Sequence, residues 1–214
     1  MADRKKLLNS AVLLLLLVVL PLISFIYLSG GSDYRREALA TRGDYGKMPD
    51  LHRFTEVRGA LPADLRGAMT VVGWLDPTKQ AGTRIYGQTL DSLFTQFKDS
   101  PNLYFTTIVL ASDAEGAADD FAATYNLPED AMLSFLRADA GDFAASADSF
   151  NLPLGQYDSP GIQPIVALVD SSKTIIRHYD LARRDETVGL VQLISLIIPL
   201  PERKEVILQR DKEL

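Results

Sequence analysis

The hydrophobic pattern divides the chain before any motif is sought. Residues 7–28, LLNSAVLLLLLVVLPLISFIYL, carry no charge. As a helix this run would be about 33 Å long, enough to cross a hydrocarbon core of about 30 Å. Beyond it the pattern changes to shorter units. Met69–Leu75 (MTVVGWL) and Leu103–Leu110 (LYFTTIVL) are continuous apolar stretches, as expected of strands buried on both faces. Between them Leu90, Leu93, Phe94 and Phe97 recur at helical spacing, and Ala114, Ala117, Ala118 and Phe121 repeat it. Ser112 and Glu115 stand three apart, as a capping box would, at the predicted start of that second helix.

Further strands and helices follow at both ends. Leu51–Val57 alternates and ends in a turn at Arg58-Gly59, which predicts an edge hairpin. Met132–Leu136 offers a short strand and Asp139–Phe150 a short helix. Ile165–Val169 and Thr174–Tyr179, joined by Asp170-Ser171-Ser172-Lys173, predict a second hairpin. A helix carrying Leu190, Leu193, Ile194 and Ile197 closes the series before Pro199. Strands alternating with helices imply an α/β fold: a mixed central sheet with helices on both faces. This order resembles the thioredoxin-like arrangement with additional N-terminal strands, preceded by one N-terminal transmembrane helix. The expected organisation is a cytoplasmic N-terminus (1–6), a transmembrane anchor (7–28), a periplasmic tether (29–49), a thioredoxin-like domain (50–198) and a charged tail (199–214).

Charge sets the orientation of that anchor. Arg4, Lys5 and Lys6 precede the run, and the positive-inside rule keeps them in the cytoplasm. No small-x-small cleavage site follows at Phe25–Gly31, so the segment reads as an uncleaved anchor rather than a removed signal. Ser10, Ala11 and Ser24 offer small contacts for neighbouring membrane helices. The expected location is the bacterial inner membrane, with the globular part in the periplasm.

Composition removes several chemistries. The chain has 22 Lys+Arg against 28 Asp+Glu, net −6, with no basic stripe that would bind nucleic acid. It has no cysteine, which excludes disulfides, thiolate metal sites and a redox dithiol. Its two histidines, His52 and His178, are far apart in sequence. His178 alternates with Arg177 and Tyr179 and is expected to face solvent or a neighbouring loop. Asp113, Glu115, Asp119 and Asp120 read as a solvated helix face, since no calcium-loop motif surrounds them. Gly82-Thr83-Arg84-Ile85-Tyr86-Gly87-Gln88-Thr89 matches the phosphate-binding G-x-x-x-x-G-K-[ST] motif except at Gln88. The missing lysine is the group that reaches the β- and γ-phosphates, so no nucleotide is expected.

Two short stretches carry a family resemblance. Ile165-Val166-Ala167-Leu168-Val169-Asp170, a turn, then Ile175-Ile176-Arg177-His178-Tyr179-Asp180 is similar to the hairpin of the Sco/SenC family. The Tyr34-Arg35-Arg36 tether and the single N-terminal anchor add to it. The resemblance implies a respiratory setting, with the chain an accessory subunit or assembly factor of a cytochrome oxidase-type complex. Sco proteins bind copper through two cysteines in the loop after the first long strand, here the expected loop 76–87, and a histidine before the hairpin. The corresponding positions here fall near Gly82, Tyr86 and Ile162, none of which ligates Cu(I). The family's metal chemistry therefore does not carry over, and neither a cofactor nor enzymatic activity is expected. What the resemblance leaves is docking. Pro77, Ile85, Tyr86 and Ile162 form the candidate surface for membrane respiratory subunits. Alternatively, Ile85 and Tyr86 fold back and cap the core. Other readings of the chain are a copper chaperone or thiol-redox protein with unconventional ligands, and a generic exported scaffold or sensor. Pro164 stands where thioredoxin-like folds often place a cis proline.

Overall fold

The computed structural model describes residues 14–25, 39–100, 102–154 and 164–198. Residues 14–25 are helical (α1), and their large side chains, from Leu14 to Phe25, are exposed. No helix among the described residues is long and apolar enough to cross a membrane. The rest of the predicted anchor, residues 7–13 and 26–28, lies outside the described residues, as does the tail from residue 199.

From Gly43 onward six strands form one mixed sheet in the order β1-β4-β3-β2-β5-β6. They are β1 (Thr55–Arg58), β2 (Met69–Leu75), β3 (Leu103–Leu110), β4 (Leu133–Ala138), β5 (Ile165–Val169) and β6 (Ile175–Asp180). The helices are α2 (Gln80–Phe97), α3 (Ala114–Thr124), α4 (Ala140–Ser149) and α5 (Arg184–Ile197). Strands β2, β3 and β4 run parallel, while β5 and β6 form the antiparallel hairpin expected from their sequence. Every residue of β2 and of β5 is buried, which is why both read as unbroken apolar runs.

The two sheet faces bury different sets of side chains. On one, Leu90, Leu93 and Phe94 of α2, Phe121 of α3, and Leu190, Leu193 and Ile194 of α5 pack on Val71, Phe105 and Leu168. On the other, Phe143 of α4 and the chain segment carrying Leu51, Phe54, Leu61 and Leu65 cover Val72, Trp74 and Ala167. Trp74 is fully buried, donates from Nε1 to Ser146 Oγ at 2.7 Å, and meets Phe150 edge-on at 5.2 Å.

Three local expectations are corrected. Leu51–Val57 is not the arm of a hairpin: Leu51–Arg53 is a 3-10 turn, and only Thr55–Arg58 is a strand, paired antiparallel with distant β4. Leu51 and Phe54 are both drawn into the core, a spacing of three that a strand cannot place on one face. Gly59 then turns the chain at φ +67°, where a β-carbon would strike the Leu133 carbonyl. The cap of α3 is Asp113 rather than Ser112: its carboxylate accepts from the Gly116 amide at 3.0 Å. The stretch 76–87, expected as one long loop, is already helical from Gln80.

Residues 43–48, which the sequence places at the end of the tether, lie as a strap along the outer edge of β6. The Gly43 and Tyr45 amides donate to the Ile176 and Ile175 carbonyls at 2.8 and 2.9 Å, and the Ile175 amide donates to Gly46 at 2.9 Å. Lys47 bridges Thr174 across the antiparallel pair, and its ammonium donates to the Thr174 hydroxyl at 2.7 Å. The strap satisfies backbone groups that an edge strand otherwise leaves open.

Candidate functional site

In a sheet of this kind, ligands and partners meet the carboxyl ends of the parallel strands. Here that end is built by the turn from β2 into α2. Asp76 closes it: its Oδ1 accepts from the Thr78 amide at 3.0 Å and the Thr78 hydroxyl at 2.6 Å. The Asp76 carbonyl accepts from the Lys79 amide at 3.0 Å and the Thr83 hydroxyl at 3.1 Å. Pro77, Thr78, Lys79 and Gln80 are left exposed. β5 runs antiparallel beside β2, with Gly73 opposite Val166. Carried forward, that register sets buried Pro164, which precedes β5, beside the end of β2.

The residues singled out from sequence separate. Pro77 is exposed on the turn. Gly82 and Ile85 lie in the first turns of α2, half-buried, and Ile85 packs against the core. Tyr86 is not on the surface: it is buried, and its hydroxyl is 2.7 Å from Thr107 Oγ1 on β3. Burial raises its ionisation above the ordinary tyrosine range. Tyr86 therefore presents no exposed side chain, and the alternative, that Ile85 and Tyr86 cap the core, describes their contacts. Ile162 lies outside the described residues. Gly82–Thr89 is interior to α2, so the segment forms no phosphate cradle.

The remaining candidates have structural partners. His52 is exposed on the 3-10 turn, its amide held by Asp50. Asp113 caps α3, and Asp119 pairs with Arg58 at 2.8 Å. Arg58 also reaches the Leu127 carbonyl at 3.3 Å, and with Asp119 and Glu129 it lines a cleft of about 500 Å³. No group of three or more His, Asp or Glu side chains among the described residues is arranged to hold a metal.

Of the two expectations for His178, solvent or a neighbouring loop, the structure shows the second: it faces the strap and the end of α4. It is 4% exposed, not solvent-facing, and Nε2 lies 2.9 Å from the Phe150 carbonyl. A carbonyl only accepts, so Nε2 carries the proton and Nδ1 presents a lone pair, which has no partner among the described residues. Burial lowers its affinity for a proton below the ordinary histidine value, partly opposed by the bond to Phe150. The only sequence signal for this burial is its position in a hairpin whose opposite residue, Ala167, is small.

No family model matches the sequence, and no curated protein matches it. Solved structures do. A candidate protein disulfide isomerase from Bacteroides thetaiotaomicron superposes with a TM-score of 0.54 at 15% identity, over 73% of this chain and 90% of that one. A candidate electron transfer protein from Aquifex aeolicus gives 0.55 at 13%, over 72% and 94%. The fold is thioredoxin-like. BsSco, a Sco-family cytochrome c oxidase assembly protein, is also similar, at 13% identity, over 72% and 95%, with a TM-score of 0.48. That likeness does not single out the Sco family from the thiol-disulfide proteins around it.

Dithiol exchange needs a thiolate as nucleophile, and this chain has no cysteine to supply one. The exposed side chains of the turn are a proline, a threonine and a lysine. The threonine hydroxyl is committed to Asp76.

Proposed function

We propose that this chain is a non-catalytic, membrane-anchored thioredoxin-like protein that acts by binding a partner. Its setting is the periplasmic face of a bacterial inner membrane, as accessory subunit or assembly factor of a cytochrome oxidase-type complex. The observation that carries the binding reading is the turn Asp76–Lys79. It is closed by hydrogen bonds to Asp76 and presents Pro77 outward at the carboxyl edge of the sheet, with no thiol in the chain. A rigid turn of this kind loses little conformational freedom on docking. The exposed apolar helix at residues 14–25 supports the anchor, since a helix apolar all round requires lipid or protein cover. The hairpin resemblance and the Arg4-Lys5-Lys6 cluster support the respiratory setting and the orientation.

The test uses the full chain in its native membranes. Pro77→Asp replaces an exposed residue without touching the core, so the melting temperature should hold while recovery of haem-containing membrane subunits in mild detergent falls. Recovery unchanged in Pro77→Asp would remove the turn from the interface.

A further inference from the structure

His178 joins three parts of the molecule that are remote in sequence. It sits on β6 and donates to the Phe150 carbonyl at the end of α4. The ring of Tyr45, on the strap, meets it edge-on, with centroids 4.7 Å apart and planes at 71°. Next to Phe150, the Asn151 amide nitrogen donates to the Tyr45 carbonyl at 2.7 Å, so strap and helix end are also tied directly. Tyr45 is itself 42% exposed, so its ring meets both the imidazole and solvent.

We propose that His178 is a pH-sensitive latch for residues 43–48, holding the strap on β6 when neutral and releasing it when protonated. Protonation places a hydrogen and a charge on Nδ1, where no acceptor stands among the described residues. A buried, unmatched N–H⁺ favours any state in which the ring meets water. Lifting Tyr45 is the shortest route to such a state, because the strap is the outermost layer over the ring. The strap's own bonds to Ile175 and Ile176 then open with it.

Among the described residues no charged side chain is hydrogen-bonded to the ring. From the strap the titratable group on the ring is Tyr45, while exposed Asp44 turns its carboxylate onto the Gly46 amide. The end of α4 contributes the Phe150 carbonyl, and its Asp148 is exposed. β5 places Ala167 opposite. On β6 the neighbours Arg177 and Tyr179 alternate to the other face, where Arg177 lies 5.0 Å over the Tyr179 ring and 3.8 Å from Glu186. Asp180, two residues along β6 on the same side and buried, accepts from the Ala182 amide at 2.9 Å, and no carboxylate among the described residues bonds Nδ1. The proton affinity of the closed state, lowered chiefly by burial, agrees with this geometry.

The experiment follows amide exchange in the full chain at pH 7.5 and 5.5, corrected for the intrinsic pH dependence of exchange. Peptides covering 43–48 should lose protection at the lower pH, by at most about tenfold per pH unit, the limit for one proton. Peptides from β2 and β3 should keep theirs. His178→Gln retains a donor for Phe150 but does not titrate, so its strap should exchange equally at both pH values. A second measurement does not depend on that variant. In His52→Gln, which changes an exposed residue, His178 gives the only imidazole resonance. Its midpoint should lie below the ordinary 6.5 and move towards it when Tyr45→Ala is added. Strap protection that ignores pH in the unmodified chain, an acid response retained in His178→Gln, or an unshifted midpoint would each overturn the latch.

Discussion

The ring of Tyr86 lies against the backbone of Gly73, in the space a β-carbon there would fill. The contact explains both residues. Gly73 lets α2 press an aromatic ring directly onto the central strand, and the ring places its hydroxyl on Thr107 of the neighbouring strand. Phe121 stacks on the same ring at 5.8 Å and joins α3 to the arrangement.

Gly73→Ala should therefore overpack the centre of the sheet and cost about 1–3 kcal/mol. Combined with Tyr86→Ala, which itself costs several kcal/mol, the alanine at 73 should add little, because the ring it strikes is gone. Denaturant midpoints of the two single variants and the double variant measure this coupling. Additive losses would mean that Gly73 is needed for some other reason.

How far α2 was legible follows from the same pair. Its apolar stripe at Leu90, Leu93, Phe94 and Phe97 was plain from spacing. Its first two turns were not, because Gly82, Thr83, Ile85 and Gly87 are poor helix formers and imitate a glycine-rich loop. The structure gives Gly87 a packing role: a β-carbon there would strike the ring of Tyr125. Such reasons lie in contacts with residues far along the chain, which local periodicity does not carry. The candidate site was split for the same reason: Pro77 stands on the turn at Asp76–Lys79, while Gly82 and Tyr86 lie inside the helix. β2, β3, β5 and β6 were legible because burial on both faces, or a short polar turn, leaves a mark within a few residues. β1 was legible as an edge element ending at Gly59, but its partner, distant β4, was not. For His178 the sequence left solvent and a neighbouring loop both open, because its cover comes from Tyr45 and Phe150, each remote in sequence.

Trp74 is the chain's single tryptophan and is fully buried. Its emission should be blue-shifted in the folded protein and move to the red on unfolding. Trp74→Phe should cost about 1–3 kcal/mol by leaving a void and removing the bond to Ser146. An emission maximum already at the solvent-exposed position in buffer would contradict the burial.

Helix caps give a smaller, additive pair of effects. Asp113→Ala removes the bond to the Gly116 amide, and Asp139→Ala the bond to the Asp142 amide at 2.8 Å. Each should cost about 1 kcal/mol. The caps are on different helices, so the double variant should lose the sum, as read from thermal or urea midpoints.

Stability should fall at both ends of the pH range, for opposite reasons. His178 binds a proton less readily folded than unfolded, so below about pH 6.5 the unfolded chain gains protons the fold resists, and stability drops as pH falls. Burial holds Tyr86 and Tyr179 above the ordinary value of 10. Above pH 10 the unfolded chain releases protons the fold retains, and stability drops as pH rises. Denaturant midpoints across the range should show both limbs. His178→Gln should flatten the acid limb alone, and an unchanged acid limb would show that burial of His178 does not set it.

The central claim is that a thiol-free thioredoxin-like fold serves here as a binding body, through the turn at Asp76–Lys79. The most direct measurement places a photo-crosslinking amino acid at Thr78 of the full chain in native membranes, with a control at exposed Asp120 on α3. The crosslink at position 78 should join subunits of one haem-containing membrane complex, and it should disappear when Pro77→Asp is added at unchanged melting temperature. Equal labelling from positions 78 and 120, or a crosslink indifferent to Pro77→Asp, would contradict the account.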